Sequence, residues 1–190
     1  MRTAITGGIG AGKSFVCRQL ELHGFKVYDC DSAAKRLMRQ SVSLQHQLRL
    51  LVGDDVYSDN GTLQKRVLAD FLLASEKNKQ AINDIVHPAV AEDFICSGME
   101  WLESAILFES GFDKRVQFDH IVCVTAPREV RLKRVMQRDN ITREKAAEWI
   151  DAQMAQEKMM SLSDFCISND GLTDIAPQIE QLLAFCEKQK

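Results

Sequence analysis

Two kinds of hydrophobic spacing alternate along this 190-residue chain. Short apolar runs, closed by glycine or polar residues, occupy Thr3–Thr6, Phe25–Asp29, Ser104–Phe108, Ile121–Thr125 and Phe165–Ser168. Runs of that length predict buried strands. Stretches with helical spacing lie between them. The first, Lys13–His23, offers Phe15, Val16 and Leu20 for packing and stops at Gly24. Pro127–Gln137, Thr142–Met160 and Thr173–Lys188 predict the helices of the C-terminal half. Strand, helix and strand in such close succession fit a right-handed parallel βαβ unit. Five strands interleaved with helices predict an α/β three-layer fold around a parallel sheet.

Between Ser32 and about Gly98 the strand pattern is missing. Ala33–Arg39, Leu44–Val52, Leu63–Leu73 and Lys77–Val86 all read as helical. Ser58-Asp59-Asn60-Gly61 is a turn, and His87-Pro88 predicts a break followed by another helix. A helical insert of this length, about 32–100, is too long for a simple crossover and predicts a subdomain projecting from the sheet. The chain therefore reads as a single domain, 1–190, carrying that insert.

Composition fits this picture. Hydrophobic residues make up 45% and charged residues 27%, an ordinary globular balance. The net charge of −3 argues against a general nucleic-acid binder. No run approaches a membrane span and the N-terminus does not resemble a leader peptide, so the expected location is the cytoplasm, with no nucleic-acid or membrane partner. Six cysteines without Cys-x-x-Cys or metal-ligand spacing read as buried free thiols.

Gly7-Gly8-Ile9-Gly10-Ala11-Gly12-Lys13-Ser14 fits the G-x-x-x-x-G-K-[ST] phosphate loop and sits between a predicted strand and a predicted helix. Its glycines permit a tight bend whose amides converge on phosphate, and the following helix adds its positive end. Lys13 supplies a point charge to the terminal phosphates, and the Ser14 hydroxyl is a hard ligand for Mg²⁺. ATP and Mg²⁺ are the implied nucleotide and metal. Asp31, 18 residues beyond Lys13, follows the second strand, where open parallel sheets place their ligand crevice. It is a candidate base or magnesium-linked carboxylate; the competing reading makes it the N-cap of the next helix.

Residues 126–145 hold seven basic side chains against three acids. Arg131, Arg134 and Arg138 fall within about 60° of one another on a helix. Such a stripe can clamp a transferring phosphoryl group or simply be a solvated face. A lid over about 126–160 is the functional reading. Glu109, after Ala105–Phe108, is either a magnesium-assisting acid or a surface residue, and His87 is either a turn histidine or a ligand.

With these residues in place, the chain resembles the dephospho-coenzyme A kinases from about Thr3 to Gly171. The likeness rests on Thr6–Ser14, Asp29-Cys30-Asp31, Asn60-Gly61-Thr62-Leu63, His87-Pro88, Gln137-Arg138-Asp139, Ala152-Gln153 and Asn169-Asp170-Gly171. It implies a P-loop kinase fold with an acceptor-binding helical insert and a mobile lid. The implied reaction is phosphorylation of the ribose 3′-hydroxyl of dephospho-coenzyme A by ATP. On this likeness the catalytic residues are Asp31, Lys13 and Arg138. The nucleotide falls to Gly8, Ile9, Gly10, Ala11, Gly12, Lys13, Ser14, Phe15 and Asn169. The acceptor falls to Asp31, Lys65, His87 and Arg134, and magnesium to Ser14. The chain departs from the family's pattern at Phe15, where threonine is common, at Lys65 for arginine, at Asn60 for aspartate, and in lacking a proline before Glu109. Shikimate and nucleoside-monophosphate kinases are the nearest alternatives, but the Gly-Gly-Gly acceptor motif of shikimate kinases is absent. A GTPase-type switch would need a guanine-selecting Asn-Lys-x-Asp, also absent.

Overall fold

The structure is a computed structural model that describes residues 1–188. Its centre is a five-stranded parallel sheet of β1 (Thr3–Thr6), β2 (Val27–Asp29), β3 (Trp101–Glu103), β4 (His120–Thr125) and β5 (Phe165–Ser168), in the order β2-β3-β1-β4-β5. In register, Thr3 faces Trp101 and His120, Ile5 faces Glu103, and Thr125 faces Ser168. The β1–β2 crossover through α1 (Lys13–Leu22) and the β4–β5 crossover leave the centre in opposite directions. Right-handed crossovers therefore cover opposite faces. On the α1 face, Ile5, Trp101, Val122, Val124 and Ile167 pack against Val16 and Leu20 of α1 and Ile179 and Leu182 of α10 (Ala176–Glu187). All nine are essentially buried, so this layer supplies much of the unit's apolar stabilisation. The β4–β5 crossover is built from α7 (Arg128–Asp139), α8 (Arg143–Asp151) and α9 (Gln156–Ser161). Leu132, Val135, Ala146 and Ile150 bind α7 to α8.

The chain divides into two compact units: Met1–Tyr28 with the chain from Met99 onward, and Asp29–Gly98. The second is mainly helical, with α2 (Cys30–Gln40), α3 (Val42–Val52), α4 (Lys65–Ala74) and α5 (Glu76–Ser97), α5 packed on the other three, and an isolated antiparallel bridge between Tyr57 and Leu63. Within it the Tyr57 hydroxyl donates to the Met38 carbonyl at 2.6 Å, and Arg49 lies 5.2 Å over the ring.

Several expected elements differ. The third strand is Trp101–Glu103, and Ser104–Phe108 is a series of turns instead. Only Trp101 and Leu102 are apolar in the true strand, so run length pointed to the longer neighbour. The ladder ends where the Ser104 N–H donates to Ile5. Pro88 does not break its helix but lies inside α5. Ile82, Val86, Val90 and Phe94 form one buried stripe four residues apart, each worth about 1.5–3 kcal/mol. Together they outweigh the roughly 3 kcal/mol cost of an interior proline. Thr142–Met160 is not continuous: α8 and α9 are separated by residues 152–155, where the Gln153 side chain accepts from Ile9 N and Met154 N donates to Glu109. The last helix begins at Ala176, not Thr173, because Asp170 accepts from Leu172 N and Thr173 N at 2.8 and 2.7 Å and holds that stretch in a turn. Of the six cysteines, all free, Cys96 and Cys166 are exposed, against the expectation of buried thiols. Among the described residues no helix is long and apolar enough to cross a membrane.

Candidate active site

The bend between β1 and α1 can be read as a ledger of backbone groups. A loop whose N–H groups turn inward must turn carbonyls outward, and buried carbonyls need donors. Here each carbonyl from Gly7 to Gly12 has one. Lys13 Nζ donates to Gly7 O at 2.8 Å, and Ala11 N to Gly8 O at 3.1 Å. Arg131 Nε donates to Ile9 O at 2.9 Å, and Arg134 Nη1 to Gly10 O at 3.3 Å. Asn169 Nδ2 donates to Ala11 O at 2.9 Å, while Phe15 N and Val16 N close the helix on Gly12 O. On the donor side, Ile9 N is taken by Gln153 Oε1 at 2.6 Å. The N–H groups of Gly10, Gly12 and Ser14 have no protein acceptor among the described residues. The loop's carbonyls are satisfied, and these three donors are left open among the described residues.

Gly12 shows why the motif demands glycine. Its φ of 96° is left-handed, and a Cβ there would lie 2.0 Å from Asn169 Nδ2. Asn169 is itself buried, and both ends of its side chain are used: Oδ1 accepts from Arg134 Nη2 at 3.2 Å. Its backbone carbonyl accepts Arg134 Nη1 at 3.0 Å.

Lys13 is buried, with its Nζ 3.7 Å from Glu103 Oε1 at the carboxyl end of β3. Glu103 was not singled out from the sequence. Its signal is an acid directly after Trp101-Leu102, which becomes visible only once those two residues are known to be the strand beside β1. Glu109, the acid expected in that place, instead accepts from Met154 N at 3.0 Å. The Ser14 hydroxyl is exposed at the first turn of α1, and Phe15 beside it is exposed as well. Hard oxygens at Ser14 and Glu103 suit Mg²⁺, which prefers phosphate and water oxygens to an all-protein cage.

The arginine stripe of α7 serves three different places. Arg131 is buried beneath the loop, and Arg134 is half-buried against Gly10, Ala11 and Asn169. Arg138 is exposed and bonded to Asp139, whose carboxyl it holds below the usual range. The Arg128–Asp151 and Arg143–Glu129 pairs tie α7 to α8. Their hydrogen bonds depress both carboxylates, Asp151 and Glu129.

In the helical unit, the N-cap of α2 is Asp29, which accepts from Ser32 N at 3.0 Å and from the Ser32 hydroxyl at 2.8 Å. Capping therefore does not employ Asp31, which is exposed in the first turn with no hydrogen-bond partner among the described residues. Lys65 opens α4 and lines a cavity of about 460 Å³ shared with Lys35, Arg39, Met38, Leu63 and Leu72. His87 lies half-buried in the middle of α5 and does not line that cavity.

Residues 1–174 match the family model for dephospho-CoA kinase. The chain belongs to the dephospho-CoA kinase family. A dephospho-CoA kinase of Bacteroides fragilis is 40% identical over 97% of this chain and 92% of its own. A crystal structure from Thermus thermophilus, TT1252, is 29% identical with a TM-score of 0.79, covering 100% of this chain and 97% of that one. The dephospho-CoA kinase of Campylobacter jejuni shares the fold at 19% identity, TM-score 0.66, over 98% and 96% of the two chains. A kinase of this family draws its phosphoryl group from ATP, with Mg²⁺. The cavity beside Lys65 lies in the unit where the sequence placed acceptor residues.

Proposed function

We propose that this chain transfers the γ-phosphoryl group of ATP to the ribose 3′-hydroxyl of dephospho-coenzyme A, giving coenzyme A and ADP in the cytoplasm. The carrying observation is the satisfied-outside, open-inside loop at 7–14, joined to membership of the dephospho-CoA kinase family. The inward amides and Lys13 hold the triphosphate, and Ser14 and Glu103 are the side chains that would hold Mg²⁺ and its waters. Bound there, the metal would neutralise charge on the phosphates. Asp31 orients the 3′-hydroxyl and accepts its proton as that oxygen bonds to the γ-phosphorus. The bond from phosphorus to the bridging β-oxygen breaks, and ADP leaves with that electron pair. Support for Asp31 comes from its position two residues past β2 and from Asp29 having taken the capping role.

Arg134 is bonded to the loop and Asn169, so of the three stripe arginines Arg138, paired only locally with Asp139 among the described residues, is the one proposed to reach the transferred group. Lid motion of about 126–160 would bring it there and exclude water. The helical unit, about 32–100 by sequence, would bind the acceptor. Lys65 with Lys35 and Arg39 suits its anionic part, and His87 is assigned a supporting place in the same unit.

ADP release measured with and without dephospho-coenzyme A tests the whole reading: turnover should need the acceptor. Shikimate or nucleoside monophosphates as the better acceptors would transfer the chain to the alternative kinase class. Asp31→Asn should lower kcat by about 10²-fold or more while leaving ATP affinity near normal. Near-normal turnover in that variant would remove Asp31 from the base role.

A further inference from the structure

Arg131 is the least expected cation of the site. It is 6% exposed, its Nε donates to Ile9 O at 2.9 Å, and its Nη2 is buried without a hydrogen-bond partner among the described residues. The guanidinium lies flat on the loop: a Cβ at Gly8 would fall 2.3 Å from Nη2 and 2.8 Å from Cζ. Burial pushes the Cys123 thiol up to about 12 against the opposing influence of Lys13 and Arg131. Burial works against the charged guanidinium as well, followed by repulsion from Arg128, and attraction to Glu157 and Asp151 offsets only part of this. A buried cation with an orphaned donor costs stability unless a counter-charge arrives. The counter-charge this loop is shaped to receive is a polyphosphate on its inner side.

We propose that Arg131 is a positioning residue for the phosphate loop: it fixes the Ile9 peptide from beneath, opposite Gln153, and stands as a buried positive charge whose cost is relieved when nucleotide phosphates bind. It touches the outer wall of the loop at Gly8 and Ile9, so it acts through the peptide and through space. A plain structural brace would behave differently. It would stabilise the empty protein and be indifferent to the nucleotide. This inference rests on residues 7–14 holding nucleotide phosphates, and titration of the wild type with MgADP tests that premise separately.

The experiment compares Arg131→Gln, Arg131→Met and Arg131→Lys by calorimetric titration with MgADP and by melting of the nucleotide-free protein. Gln keeps a donor for Ile9 without charge, Met keeps only shape, and Lys keeps charge. The expected result is a Kd for MgADP raised on the order of tenfold in Gln and Met. Lys should recover part of it, the KM for dephospho-coenzyme A should stay within about twofold, and the nucleotide-free melting temperature should not fall in Gln. Wild-type binding of MgADP by Arg131→Gln would overturn the inference. So would a lower nucleotide-free melting temperature at unchanged affinity, or equal losses for both substrates. Should Met fail to fold, Gln and Lys decide the matter alone.

Discussion

Asn169→Ala separates two roles that the sequence alone could not separate. The likeness to the kinase family assigns Asn169 to the nucleotide, where a loop side chain could contact the base, whereas its buried amide bonds Ala11 O at 2.9 Å and Arg134 Nη2 at 3.2 Å. Removing it deletes one neutral bond, worth about 1 kcal/mol, and one to a charged partner, worth about 1.5–3 kcal/mol. Arg134 keeps its bond to the Asn169 backbone at 3.0 Å, and Ala11 O keeps a longer one from Arg134 at 3.3 Å. The net loss is therefore about 2–3 kcal/mol, near the lower end of the sum. Part should appear as lower resistance to urea and part as a KM for ATP raised on the order of tenfold. Because the loop is what loosens, ATP and GTP should suffer alike. The assay is turnover with each nucleotide at saturating dephospho-coenzyme A, beside urea unfolding of the free protein. Selective loss of ATP over GTP at unchanged stability would refute the supporting role and return Asn169 to the base.

Glu103→Gln, which removes the charge beside Lys13, should raise the Mg²⁺ concentration for half-maximal turnover several-fold; an unchanged magnesium curve would take Glu103 out of the metal's surroundings. Pro88→Ala restores a backbone donor within α5 and should raise the urea midpoint by about 1–3 kcal/mol equivalent with no change of slope; a lower midpoint would mean the helix needs the proline's shape. Thiol titration of the native protein near pH 8 should show fast reaction at Cys96, slower reaction at Cys166, whose thiol burial pushes up, and none at Cys123 until unfolding. The Cys123 thiol is raised from 9.0 to about 12, so its neutral form is favoured in the fold. Its contribution is complete below pH 9.0 and is lost as pH climbs toward about 12, and Cys123→Ala should flatten that alkaline fall in stability.

What the sequence made legible was whatever repeats at short range. The loop motif, the β1–α1–β2 unit, β4, β5 and the run of helices after Asp31 all follow from local spacing and appear where expected. Misreadings occurred where a distant partner decides. Trp101–Glu103 is a strand because Thr3, Ala4 and Ile5 are waiting to pair with it, and a three-residue segment has no period of its own. Pro88 looked like a terminator because a proline's cost is local, whereas the stripe at Ile82, Val86, Val90 and Phe94 that overrides it is tertiary. The break between α8 and α9 has the same origin: Gln153 and Met154 turn to Ile9 and Glu109.

The arginine stripe shows the limit most clearly. Spacing put Arg131, Arg134 and Arg138 on one face, and a shared face suggested a shared task. The loop, however, descends past α7 with its carbonyls outward, so successive arginines meet successive demands: Ile9 O for Arg131, Gly10 O and Ala11 O for Arg134, and only Asp139 for Arg138. A glycine-rich nest cannot point its donors at phosphate unless something holds the other side of each peptide. In this chain that requirement recruits α7, the residues after α8 and the loop after β5 to the support of residues 7–14. The motif at 7–14 supplies the flexibility to form the nest, and the shape is imposed by side chains more than a hundred residues away.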